Sequence, residues 1–165
     1  MSDGLARARA ALDNAAASAA LAGGLGLAGI ALFTVGAVLA DAFGAPILGD
    51  SEVVELVVGI SVFAFLPYCQ MCDGHIAITI FTDRAPVRVR HTLSVIAAVL
   101  TFLVAAVLTW RLIVGGFEVW ERERVSMFLQ LPLWWGYGAG AIFAVLWALT
   151  AGFVALERIV LRPAA

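Results

Sequence analysis

Residues 125–156 read VSMFLQLPLWWGYGAGAIFAVLWALTAGFVAL and contain no charged side chain. A transmembrane helix needs about 20 predominantly apolar residues to cross roughly 30 Å of hydrocarbon. A surface helix of a soluble protein would instead carry charged residues on the face turned away from the core. The stretch therefore predicts a membrane-spanning helix over about residues 133–156.

Three further stretches meet the same criterion, at about residues 19–40, 53–72 and 92–113. The composition agrees, because the chain is 63% hydrophobic and 13% charged, whereas a soluble domain carries about 25% charged residues. We therefore predict an all-α membrane protein in which residues 1–165 form a single domain of four transmembrane helices. Asp50 or Ser51 is predicted to be the N-cap of the second helix, with Glu52 in its first turn.

The arginines predict the orientation of the chain. Seven of them lie in the two tails and in the loop between the second and third helices: Arg7, Arg9, Arg84, Arg88, Arg90, Arg158 and Arg162. The other side of the membrane has three, Arg111, Arg122 and Arg124. Basic residues are in excess in cytoplasmic loops. Both termini are therefore predicted to be cytoplasmic.

Small residues recur on one face of the first and fourth helices. Membrane helices associate through close packing of such residues, because lipid tails are as apolar as leucine and give no hydrophobic driving force. These stripes pack either within the chain or against another protein, and both readings remain open. The candidate partner-interface residues are Gly26, Gly29, Gly36, Gly136, Gly140, Ala144 and Ala148.

Two groups of residues are candidates for contact with lipid headgroups. Residues 74–90, GHIAITIFTDRAPVRVR, predict a short interfacial segment between the second and third helices. Arg84, Arg88 and Arg90 would then meet anionic headgroups; the alternative is an ordinary basic loop. On the other side of the membrane, Trp134 and Trp135 are predicted to lie at the headgroup level, where indole rings are enriched.

The middle of each predicted span lacks Asp, Glu, Lys, Arg and His. Coupled transporters usually place ionisable groups or broken helices there to bind substrate and ions. We therefore predict that this chain moves no substrate by itself, and we predict no catalytic residue, cofactor or metal site.

Two alternatives remain open. One is a free-standing small membrane protein with no transport role, and the other, suggested by Cys69-Gln-Met-Cys72, is a four-helix membrane thiol oxidoreductase. Such enzymes need a second cysteine pair, which this sequence lacks, and the predicted orientation places both cysteines on the reducing cytoplasmic side. Asp73, His75 and His91 lie near the cysteines, but their spacing fits no standard zinc pattern.

Four stretches carry a resemblance to a known family: Phe43-Gly-Ala-Pro-Ile-Leu-Gly-Asp-Ser-Glu52, Leu66-Pro-Tyr-Cys-Gln70, Gly74-His-Ile76 and Leu131-Pro-Leu-Trp-Trp135. In this order and spacing, over about residues 28–157, they resemble the small membrane subunit (DctQ-like) of tripartite ATP-independent periplasmic (TRAP) transporters. The resemblance implies a location in the bacterial inner membrane and two protein partners. One is a large membrane subunit that moves the substrate with sodium, and the other is a periplasmic binding protein that delivers it.

The resemblance also implies what the chain does in that complex. The substrate of such systems is often an organic acid, which the large subunit translocates. The small subunit clamps the large one and helps to hold its static part in the membrane. The expected function is therefore that of a scaffold and not of an enzyme.

Overall fold

The computed structural model describes residues 3–72 and 87–160. This part of the chain forms four α-helices: α1, Asp3–Ala42; α2, Asp50–Met71; α3, Val87–Glu121; and α4, Trp134–Val160. All four are long and apolar enough to cross a membrane. The prediction of an all-α protein with four spanning helices is confirmed. Most of the predicted interfacial segment, residues 74–86, lies outside the described residues, and residues 87–90 belong to α3.

Two helices are longer than a membrane crossing requires. At 1.5 Å per residue, the 40 residues of α1 extend about 60 Å and the 35 residues of α3 about 52 Å. The hydrocarbon core is only about 30 Å thick. Residues 3–18 precede the predicted first span, and they continue α1 as helix. Their many alanines favour this conformation.

The helices are arranged in a row. Within the described residues, α1 packs on α2, α2 on α4 and α4 on α3, and α1 also contacts α4 briefly. The two central helices, α2 and α4, run in the same direction, and α1 and α3 run in the opposite one. Along the helix axes the row has two ends. We call the one formed by the loops 43–49 and 122–133 the cap end, and the one that carries the start of α1 and the end of α4 the termini end.

Small residues let α1 and α2 approach each other closely. A Cβ atom added to Gly23 would lie 2.9 Å from the Cβ of Ala64 and 3.3 Å from the carbonyl oxygen of Ser61. Ala16, Ala19 and Ala37 on α1 are buried. Positions 16, 19, 23, 30 and 37, which are all buried, fall at spacings of three, four and seven and so share one helix face.

The contact between α3 and α4 combines small residues with one buried hydroxyl. The Oγ1 of Thr109 lies 2.7 Å from the carbonyl oxygen of Ala105 in its own helix and 3.0 Å from that of Ala144 in α4. A backbone oxygen of α4 thus gains a partner across the interface. Ala105 also packs with Trp147 and Ala151 of α4.

Polar contacts join the helices at the termini end. The guanidinium of Arg9 on α1 forms an ion pair with Glu157 on α4. The next residue, Arg158, donates hydrogen bonds to the hydroxyl of Ser94 at 2.9 Å and to its carbonyl oxygen at 3.3 Å. The end of α4 is therefore tied to both α1 and α3.

Candidate functional site

A network of polar contacts lies at the cap end, where the loop after α3 folds back onto the start of α2. The loop forms a tight hairpin, with the amide of Ser126 donating to the carbonyl of Leu131 at 2.9 Å and that of Leu133 donating to Arg124 at 3.1 Å. Gln130 has a φ of 51°, in the left-handed region that such a turn requires. These bonds give the residues at its tip a defined conformation.

The carboxylate of Glu52 binds this hairpin. Its Oε2 accepts hydrogen bonds from the Ser126 hydroxyl at 2.7 Å and the Leu129 amide at 3.0 Å, and its Oε1 accepts one from the Phe128 amide at 2.8 Å. The hydroxyl oxygen of Ser126 in turn accepts from the Leu131 amide at 3.1 Å. Hydrogen bonds to an ionised acceptor are stronger than neutral ones. Glu52 therefore connects α2 to the α3–α4 loop.

Gly49 makes this arrangement possible. It is the N-cap of α2 and has a φ of 86°, in the left-handed region. A Cβ atom on Gly49 would lie 2.8 Å from the Cδ1 of Leu129 and 3.1 Å from the Cβ of Phe128. The prediction of Asp50 or Ser51 as N-cap is therefore wrong, because the helix starts at a glycine on which the hairpin rests.

We expect Glu52→Gln to loosen the hairpin. The amide retains a single acceptor oxygen, and its NH2 group would face a backbone amide or the Ser126 hydroxyl. Hydrogen exchange at the Phe128 and Leu129 amides should then become roughly tenfold faster or more. Glu55→Gln makes the same change one turn along α2 and should leave these amides unaffected, since Glu55 accepts no hydrogen bond from the described residues. Equal exchange in both variants would contradict the role assigned to Glu52.

The small residues predicted on α4 lie mostly inside the chain. Gly140 and Ala144 are buried, and a Cβ on Gly140 would lie 3.5 Å from Leu112 of α3 and 3.6 Å from Phe63 of α2. Gly136 faces Leu56 in the same way, at 3.4 Å. Ala148 packs against the buried Ala105–Trp147–Ala151 cluster. These four residues therefore make contacts within the chain.

The small residues predicted on α1 are divided between two faces. Gly26 contacts α2, since its Cβ would lie 3.3 Å from the Oγ of Ser61. Gly29 and Gly36 are exposed, and a Cβ on either would meet no described atom within 4 Å. A partner role for the seven candidates stays a prediction, and Gly29 and Gly36 are the two whose surroundings leave most room for one.

The candidate headgroup residues are only partly described. Arg84 lies outside the described residues, and Arg88 and Arg90 belong to the first turns of α3, where the side chains are not described. Trp134 and Trp135 begin α4, are exposed, and form an edge-to-face pair with ring centroids 6.2 Å apart. Contact of these residues with lipid stays a prediction.

Comparison with protein families identifies the chain. The family model described as "Tripartite ATP-independent periplasmic transporters, DctQ component" matches residues 29–162. The chain belongs to the DctQ family. It is the small membrane subunit of a TRAP transporter, as the sequence resemblance implied. The comparisons with curated proteins and with solved structures gave no match.

Membership of the DctQ family makes the chain a component of a transporter. The match begins at Gly29 within α1 and ends beyond Val160, the last residue of α4, so it includes the Glu52 hairpin and three complete helices. A component of a tripartite transporter works with other proteins, so its exposed surfaces are as relevant as its interior. Cys69 and Cys72 are exposed free thiols in this DctQ subunit, and nothing in the described residues supports the thiol oxidoreductase alternative.

Proposed function

We propose that this DctQ subunit is the static scaffold of a sodium-coupled TRAP transporter in a bacterial inner membrane. It supports a large membrane subunit that moves an organic-acid-type substrate, and a periplasmic binding protein delivers that substrate. The observation that carries the proposal is the combination of family membership with spans that have no ionisable residue at their centre. A carrier needs polar groups at that depth to bind its substrate and coupling ion.

The row of helices supports a scaffold role. A row exposes more helix surface to its surroundings than a closed bundle of four helices does, and large apolar side chains are exposed along α1 and α3. Polar contacts join the helices at both the cap end and the termini end. They are the hairpin bound by Glu52 at the cap end and the contacts of Glu157 and Arg158 at the termini end. A largely apolar surface on helices that are joined in this way suits the support of another membrane protein. Reconstitution of the chain alone, and of the three components together, tests the proposal.

In the proposed orientation both termini are cytoplasmic and the cap end is periplasmic. The test uses single cysteines in a background that carries Cys69→Ser and Cys72→Ala. Met127→Cys at the tip of the hairpin should react with an impermeant maleimide in intact cells, because Met127 is 86% exposed. Gly4→Cys, near the start of α1 and also exposed, should react only after the cells are lysed. The reverse labelling pattern would show that the proposed orientation is inverted.

A further inference from the structure

A groove of about 490 Å³ runs along one side of the row, between α2 and α3 and over α4, near the cap end. Its lining is mostly apolar. Leu56, Ile60 and Phe63 of α2 form one wall, Leu112 of α3 contributes to the other, and Gly136 and Gly140 of α4 form the floor. The hairpin bound by Glu52 closes the groove at its outer end through Val125, Ser126 and Met127. The groove is therefore a formed concave surface with a fixed boundary.

One charged side chain in this groove, Glu55, has no hydrogen-bond or ion-pair partner among the described residues. Glu55 lines the groove on α2, one turn further along the helix than Glu52. Unlike Glu52, it is exposed and has no hydrogen-bond or ion-pair partner among the described residues. A charged group near hydrocarbon is costly unless it pairs with another charge or reaches water. A basic group on whatever fills the groove would supply that pairing.

The groove also exposes bare backbone. Gly59 lies on α2, one turn after Glu55 and further from the cap end. It is exposed, and a Cβ atom added to it would meet no described atom within 4 Å. Glycine costs helix stability in water-soluble helices, but in membranes it lets two helix backbones approach closely. A lipid acyl chain does not require such an approach. The combination of an open glycine and a carboxylate without a described partner therefore favours a helix as the occupant.

We propose that this groove seats a transmembrane helix of the large subunit, and that an Arg or Lys near the periplasmic end of that helix pairs with Glu55. The inference rests on the scaffold function proposed above and adds to it the contact surface and the charge of the partner. Glu52 and Glu55, three residues apart, would then have different roles. Glu52 shapes the end of the groove, and Glu55 presents a negative charge to the occupant.

Co-purification with the tagged large subunit in mild detergent tests the contact. Glu55→Lys should lower the amount of bound chain about tenfold, because a charge attraction becomes a repulsion. The matched control is Glu121→Lys, which makes the same change on an exposed residue at the cap end of α3, outside the groove. Because the control adds the same positive charge on the same side of the membrane, it accounts for any effect on orientation.

A second pair of variants tests the shape of the groove. Gly59→Leu fills it, whereas Gly24→Leu adds the same side chain on α1, where a Cβ likewise meets no described atom within 4 Å. Gly59→Leu should reduce co-purification several-fold more than Gly24→Leu does. Thermal unfolding of each isolated variant should match that of the unmodified chain or exceed it, which shows that the fold is intact.

Photo-crosslinking distinguishes a protein occupant from a lipid. A photoreactive residue at Ile60, in the groove, should give an adduct with the large subunit, and mass spectrometry should place the adduct in a transmembrane helix with a basic residue in its periplasmic turns. The same residue at Ile142 of α4, which is 70% exposed and does not line the groove, should give much less.

The outcomes separate the two proposals. If the unmodified chain does not co-purify with the large subunit, the scaffold function itself is wrong. If it co-purifies but Glu55→Lys and Gly59→Leu behave like their controls, or if Ile60 gives no protein adduct, the groove is not the contact and this inference alone is overturned.

Discussion

Gly23→Leu should destabilise the isolated chain by about 1–3 kcal/mol, the usual cost of overpacking a close contact. The Cβ of the new side chain would lie 2.9 Å from the Cβ of Ala64 and 3.3 Å from the carbonyl oxygen of Ser61. Both atoms belong to α2 near the middle of the span, and a backbone atom cannot move aside without moving the helix. The two helices must therefore separate, which also weakens the contacts of Ala16 and Ala37.

Gly29→Leu is the matched comparison, and no destabilisation is expected from it. A Cβ at Gly29 meets no described atom within 4 Å, so the larger side chain displaces no helix contact among the described residues. The midpoint of thermal unfolding in detergent, followed by tryptophan fluorescence, should fall for Gly23→Leu and should stay level or rise for Gly29→Leu. Equal destabilisation by both changes would contradict the assignment of the inner face of α1.

This pair of glycines shows where the sequence was informative about packing and where it was not. The small-residue pattern on α1 runs through Gly26, Gly29 and Gly36. In the structure Gly26 contacts Ser61 of α2, Gly29 and Gly36 are exposed, and the buried face runs through Gly23 and Ala37. In a helix with small residues on several faces, composition cannot select one of them. The selection depends on the facing residues, Ser61 and Ala64, which belong to another helix.

The four spans were predictable because hydropathy reports the thickness of the membrane directly. The full lengths of α1 and α3 were not, since a helix continues beyond the hydrocarbon wherever its own residues favour helix. Residues 3–18 are rich in alanine but carry charges, so hydropathy excludes them from the span although they are helical.

The Glu52 contact could not be derived from the sequence. Glu52 and Ser126 are 74 positions apart, and in the sequence Glu52 looks like an ordinary acidic residue in a first helical turn. Only the order of the helices, with α2 next to α4, brings the start of α2 under the loop that precedes α4. The signal that was available is the position of Glu52 and of residues 131–135 within the stretches that carry the family resemblance.

The second large effect concerns transport. Alone in liposomes, this DctQ subunit should show no organic-acid uptake when an inward sodium gradient is imposed. Its spans offer no ionisable group at their centre to bind substrate or sodium. Together with the large membrane subunit and the binding protein, it should support sodium-dependent uptake. Under the proposed scaffold function, omission of this chain from the complete system should reduce uptake to background, since the large subunit would then lack its static support.

The most direct test of the scaffold assignment is therefore one uptake assay in three kinds of liposome: with this chain alone, with the large subunit alone, and with both. Each receives the binding protein, an inward sodium gradient and a labelled organic acid that the binding protein binds. Uptake above background only when both membrane subunits are present is the predicted result. Sodium-driven uptake by this chain without the large subunit would show that it is itself a carrier and would contradict the account.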